Sequence, residues 1–509
     1  MAMKTLSRLS IPLAAALLLA GCQASPQEQF AKAQASFVAR DFAAARIAVS
    51  AALQGDPRNR EMLMLLARAQ LALGDADAAQ AAIDRLTAAG GSGPDVDMMK
   101  AQLALLQNRP ADALKLAGGN STPQGWAIRA AAHLGLNQTE QAVDAFRQGM
   151  QAGDDIGLAT DYARYLLQTD QPDEAARVYA RMKAMAPGAY ETQVLAGDLA
   201  VARGQTDAAI AAYRTVTKNF PDRIDPYLAL ANQLDEKGKL DDAMAELALA
   251  EKLDSSRPDV QSLKVQLLSE KGDWEEIRDT LQTQQSSLDP GSGLGMTYAE
   301  AMLRLGHAEQ ARVLFSRAML VIPNNPYARM MLGESQLATG DAASAWTTLK
   351  PLAQSTLADG RILELAEKAA RDSGAPEADA LRARLEPQRL KAMQALAQQG
   401  QAAMNRADWN AAIPIYERLL AGGPDPEVLK RLALASSKLG RNDAAIGYAD
   451  KALALQPASP DYLHMAGLVR LNARKDLPGA VRYLQAAAST DPRNGVLKRD
   501  LEKAKAAAG

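Results

Sequence analysis

Five glycines, Gly204, Gly238, Gly272, Gly306 and Gly340, stand 34 residues apart without a slip. The segments they open are alike: GQTDAAIAAY (204–213), GKLDDAMAEL (238–247), GDWEEIRDTL (272–281), GHAEQARVLF (306–315) and GDAASAWTTL (340–349). A fixed period of this length constrains the fold more tightly than composition does. Each unit is one supersecondary element that cannot bury its apolar side alone, so neighbours must stack to make a continuous core. The unit reads as a helix on each side of a short turn, with glycine supplying the left-handed conformation that ends the first helix. Length alone would suggest about three domains in 509 residues; the repetition replaces that expectation with a long stack.

Small residues recur in the same register. Ala163, Gly197, Ala231, Ala299 and Gly333 share the eighth position of the first helix, and Ala175, Ala209, Ala243, Ala311 and Ala345 share the twentieth position, in the second. Side chains of this size let two antiparallel helices approach closely. Four residues further on, Tyr179, Tyr213, Leu247, Phe315 and Leu349 are expected to fill the space against the next repeat, and Pro187, Pro221 and Pro323 to end the second helices. The pattern resembles the tetratricopeptide repeat (TPR). That resemblance implies an all-α solenoid, a right-handed superhelix of helix-turn-helix repeats.

In this register the TPR array covers residues 26–359, irregular at 94–125 and 258–291. The unit starting at Pro94 is short and is broken by the loop GGNSTPQG (118–125); the unit starting at Pro258 has Val265 and Ile277 at both small positions, which pushes its helices apart. Residues 360–392 form a weak helical junction, 393–493 hold the C-terminal repeats, and 494–509 make a capping helix whose charges shield the last apolar edge. The count is about fourteen repeats, degenerate ones included.

The amino terminus has a separate job. Lys4 and Arg8 precede ten uncharged residues, Ile11 to Ala20, and the small pair Ala20-Gly21, the build of an export signal over residues 1–21. Leu19-Ala20-Gly21-Cys22 resembles the lipobox of bacterial lipoproteins. The resemblance implies cleavage before Cys22, acylation of its thiol and of the new amino terminus, and a short lipidated tether over residues 22–25. Several acyl chains hold where one would bind only reversibly. Gln23 in place of aspartate points, within that family, to the outer membrane. Cys22 is the single cysteine, so packing alone must hold the fold.

Net charge is -2, from 57 basic and 59 acidic residues, which argues against nucleic acid as a partner. His133, His307 and His464 lie far apart in register, in no metal-ligand spacing, and no nucleophile or phosphate-loop motif is present. The expectation is therefore of no enzyme, no cofactor and no metal. In TPR arrays positions 2, 5, 9, 12 and 13 of the first helix line the concave face. Carried over, position 9 gives Asp198, Asn232, Gln266, Glu300 and Glu334, a polar, partly acidic ladder, beside an apolar ridge that includes Val194, Leu228, Met296 and Met330. Such a pairing suits a protein segment with apolar anchors and donor or basic groups. Reversing Glu300 and Glu334 to lysine is expected to leave folding almost unchanged, as a surface change would. The Lys-at-5, Asn-at-9 clamp of TPR proteins that hold chaperone tails is missing, because Leu228 precedes Asn232.

The opening of the mature chain, SPQEQFAKAQASFVARDFAAARIAVSAAL, looks like the TPR lipoproteins that accompany exosortase protein sorting and exopolysaccharide export, and also fits those of pilus or type II-like secretion assembly. The reading is of a scaffold facing the periplasm from the outer membrane, with a protein partner in its groove and the membrane held through acylated Cys22. A peptidoglycan hydrolase, or a regulator of an envelope hydrolase, is the alternative.

Overall fold

The computed structural model describes residues 25–421, 423–490 and 494–509. Cys22 and the export signal lie outside the described residues. Among those described there are 29 helices, from α1 (Pro26–Val38) to α29 (Gly495–Ala508), and no strand. The helices pair in sequence, odd-numbered with the even-numbered one that follows, and α29 is left over at the end. The all-α stack that the 34-residue period calls for is what the chain forms.

Backbone conformation counts the repeats directly. Among the described residues, fourteen turns between a first and a second helix pass through the left-handed region, with φ between 49° and 84°, at Arg40, Gly74, Asn108, Asn137, Asp170, Gly204, Gly238, Gly272, Gly306, Gly340, Gly374, Ala407, Gly440 and Arg474. An aspartate often follows and starts the second helix: Asp41, Asp75, Asp273, Asp341 and Asp408 each accept a hydrogen bond from the backbone N–H three residues on. A left-handed residue to stop one helix and a carboxylate to cap the next make the tight reversal.

The close approach within a pair is concrete at two glycines. A Cβ on Gly197 would stand 2.4 Å from the Tyr213 ring, and one on Gly333 would stand 2.4 Å from Leu349. The large residue of the second helix thus fills the space over the first helix of its own repeat, rather than only against the next repeat as the sequence suggested. The second helices α10 (Pro172–Met185), α12 (Thr206–Asn219) and α18 (Ala308–Val321) stop two residues short of Pro187, Pro221 and Pro323.

The described residues form two compact units, up to Ser255 and from Ser256. In the first, the short repeat pairs α5 (Pro94–Leu106) with an eight-residue α6 (Pro110–Ala117). Arg129 pins the loop that follows, donating to the carbonyl oxygens of Gly118 at 3.1 Å and Asn120 at 2.5 Å, while its guanidinium lies 3.5 Å from the centre of the Trp126 ring. In the second unit, α15 (Pro258–Lys271) and the nine-residue α16 (Trp274–Gln282) touch least of all the pairs. Val265 and Ile277 are both buried there. Residues 360–392 hold α21 (Gly360–Ser373), α22 (Ala378–Arg384) and the start of α23 (Pro387–Asn405). The turn at Gly374 keeps the 34-residue step from Gly340, so the pair α21–α22 stays in register. Finally, α29 buries Leu497, Leu501 and Ala504 and exposes Lys498, Arg499, Glu502, Lys503 and Lys505.

Candidate partner-binding face

The position-9 ladder and its apolar neighbours sit on the first helices, and their surroundings differ along the chain. In the first unit, Val194 and Asp198 are half-buried on α11 (Tyr190–Ala202). The Tyr213 hydroxyl donates to Asp198 Oδ1 at 2.6 Å. Burial pushes the Asp198 carboxyl up, and the Tyr213 hydrogen bond only partly offsets this. Burial also raises the Tyr213 hydroxyl, with the charge of Asp198 adding to it. One repeat further on, α13 (Ile224–Glu236) exposes Asn232 but buries Leu228, which belongs to the core. Leu228 is therefore not a surface anchor, a correction to the ridge read from sequence.

In the second unit, Gln266 on α15 is exposed, and Met296 and Met330 are half-buried on α17 (Gly293–Arg304) and α19 (Pro326–Ala338). Glu300 and Glu334 are not free carboxylates. Arg304 donates from Nη2 to Glu300 Oε1 at 2.8 Å and from Nη1 to Glu334 Oε1 at 2.9 Å. The Tyr327 hydroxyl donates to Glu300, and Arg361 donates to both oxygens of Glu334 at 2.7 Å. The Glu300 and Glu334 side chains are only 15% and 17% exposed. Burial works against the Arg304 charge, yet the hydrogen bonds and charges of the two glutamates outweigh it and raise its pKa. The acidic end of the ladder is thus neutralised, and reversing these two charges would disrupt a partly buried network. The expectation of an almost silent surface change does not hold.

Three side chains that the sequence reading passed over complete this network: Arg304, Tyr327 and Arg361. A signal for them was present. Tyr327 and Arg361 both occupy position 2 of their repeats, 27 residues after Glu300 and Glu334 respectively. Arg304 stands four residues after Glu300 on the same helix, where side chains meet. Among the described residues no group of three side chains comes together that could hold a metal ion.

The repeat geometry can now be set beside known proteins. Residues 38–103, 200–267 and 397–460 match tetratricopeptide repeat families. No curated protein matches the chain. Among solved structures, the APC/C hetero-tetramer Cut9–Hcn1 is similar at 16% identity over 94% of this chain and 96% of that one, with a TM-score of 0.37. PilW, described as a widely conserved type IV pilus biogenesis factor, is similar at 16% identity over 41% of this chain and 98% of that one, TM-score 0.31. A tetratricopeptide repeat protein from Parabacteroides merdae gives 14% identity over 61% and 98%, TM-score 0.29. Likenesses this distant carry no information about a partner here.

Proposed function

We propose that the chain is a non-catalytic protein-binding scaffold, held by acylated Cys22 at the periplasmic face of the outer membrane, where it assists assembly or export of a surface polymer, a pilus or a secreted protein. The observation that carries the binding part is the first-helix face itself. Half-buried Val194, Met296 and Met330 lie on the same helices as polar groups that are already hydrogen-bonded or neutralised. Apolar side chains beside satisfied polar ones can bind a protein segment without leaving a carboxylate stranded in the interface. The membrane part is supported by the LAGC sequence ending at Cys22 and by the start of α1 at Pro26, immediately after the tether.

Two measurements test this reading separately. Growth with labelled palmitate followed by fractionation should place label and protein in the outer membrane, and Cys22→Ser should lose both; an unlabelled, soluble wild type ends the lipoprotein reading. A photo-crosslinking residue at exposed Asn232 should capture a protein in cells, whereas one at Leu320, 84% exposed on a second helix, should not. Equal capture from both positions, or from Leu320 alone, removes the first-helix face as the binding surface.

A further inference from the structure

One ion pair in the first unit departs from the repeat-to-repeat pattern. The Arg40 guanidinium meets Glu191 Oε1 at 2.5 Å. Arg40 is in the turn of the first repeat and Glu191 in the first turn of α11, five repeats further along the chain. The pairs Arg203–Asp173 and Lys237–Asp207, by contrast, join adjacent repeats. The repeats in between curve about a common space, since one cavity of about 470 Å³ is lined by Phe37, Arg68, Met98 and Gln124, from four successive repeats. Arg40 thus closes the turn that six repeats make.

Arg40 is ill suited to its place. It occupies the turn position that most of the repeats give to glycine, with φ 62°, a conformation L side chains adopt at a cost. What the side chain adds there is reach. Its guanidinium lies 5.8 Å from the Phe42 ring centre and extends on to Glu191. The Arg40 side chain is 48% exposed and that of Glu191 14%. A pair with one side in water is screened by salt, and such pairs shift an equilibrium by no more than about fivefold. The tie therefore favours the closed turn without fixing it. Glu191 tolerates release, because the helix dipole supports a carboxylate in the first turn of α11.

We propose that the Arg40–Glu191 pair is a clasp that holds the first six repeats in a closed turn, opens when ions compete for its charges, and screens the Val194 end of the binding face while shut. Val194 stands three residues after Glu191 on α11, where side chains are neighbours. A guanidinium on Glu191 therefore stands over the approach to Val194, and its departure clears that approach. The screening role rests on the binding face proposed above; the clasp itself does not, and neither depends on acylation of Cys22.

The test uses the purified full-length chain carrying Cys22→Ser, so that introduced cysteines are the only thiols. Spin labels at exposed Gln34→Cys on α1 and Lys218→Cys on α12 report the distance across the turn by pulsed electron paramagnetic resonance. A single short distance should dominate at about 0.01 M salt. A longer one should grow in as salt rises to about 1 M, which cuts the screening length from about 30 Å to about 3 Å. Arg40→Gly should shift the balance towards the long distance about fivefold even at low salt, while thermal unfolding matches or exceeds wild type, because glycine suits the turn. Exchanging the charges, Arg40→Glu with Glu191→Arg, should restore the short distance. In a separate chain Val194→Cys should react with a bulky maleimide about threefold faster when Arg40 is glycine. The proposal is overturned if the wild-type distance is long at low salt, if Arg40→Gly keeps the short one, if the exchanged pair stays open, or if Val194→Cys reacts equally fast in both backgrounds. No readout requires a captured partner, so this proposal and capture at Asn232 fail independently.

Discussion

Position 9 of the first helix holds a carboxylate in both units, and the two sites have opposite electrostatics. Asp198 in the first unit sits half-buried with one neutral donor, the Tyr213 hydroxyl, and burial raises its pKa. Glu300 and Glu334 in the second unit are shared among Arg304, Arg361 and Tyr327. The same register position is thus a strained charge in one place and the acceptor of a charged network in another. What decides is the residue that each neighbouring repeat places at position 2 and whether an arginine follows four residues later. A repeat supplies the geometry, and the departures from the repeat supply the chemistry.

The largest effect that would break this comparison comes from reversing the network. Glu300→Lys with Glu334→Lys places two cations against Arg304 and Arg361, and is expected to cost about 2–4 kcal/mol, because removing the partners of partly buried charges leaves them uncompensated. Urea unfolding should show it, and hydrogen exchange should quicken first in α17 and α19. Unfolding indistinguishable from wild type would mean that these glutamates are no more constrained than surface groups. Arg304→Ala should cost less, about 1–2 kcal/mol, because Tyr327 and Arg361 still serve one glutamate each.

Smaller effects belong to the first unit. Asp198→Asn keeps an acceptor for the Tyr213 hydroxyl and removes a charge that burial disfavours, so stability near pH 7 should stay within about 0.5 kcal/mol of wild type or rise. A clear loss would show that the Asp198 charge is compensated after all. The smallest effect is in the pH dependence. A carboxyl whose folded pKa lies above its unfolded value favours the folded state below the unfolded value, and that contribution is lost as pH rises through the folded one. The stability of wild type relative to Asp198→Asn should therefore improve on acidification from about pH 7 to about pH 4, the unfolded aspartate range. A constant or worsening difference contradicts the raised carboxyl.

The fold was legible because repetition multiplies a weak local signal. One glycine near a turn says little, whereas the spacing from Gly204 to Gly340 says where every helix must stop, and Asn108, Asn137 and Asp170 could take the same turn because short polar side chains tolerate the left-handed region. Arg40, Ala407 and Arg474 adopt that conformation without any such suitability, and only the register locates their turns. The candidate face was legible as a set of positions but not as a set of charges. Glu300 and Arg304 are neighbours on one helix, but the approach of Tyr327 and Arg361 depends on how successive repeats stack. Leu228 was misplaced for a related reason: position 5 faces outward only where the adjoining helices leave it uncovered, and here they bury it.

The thin contact between α15 and α16 has a mechanical meaning. A stack in which each repeat leans mainly on its neighbours carries tension in series, like links in a chain, so its strength under load is that of its weakest joint. With a nine-residue second helix and the least interlocked helix pair of any repeat among the described residues, the repeat at Pro258 would open within itself at a lower load than the repeats beside it. That opening would lengthen the molecule while more fully interlocked repeats, such as α13 with α14 (Leu240–Asp254), still held their shape.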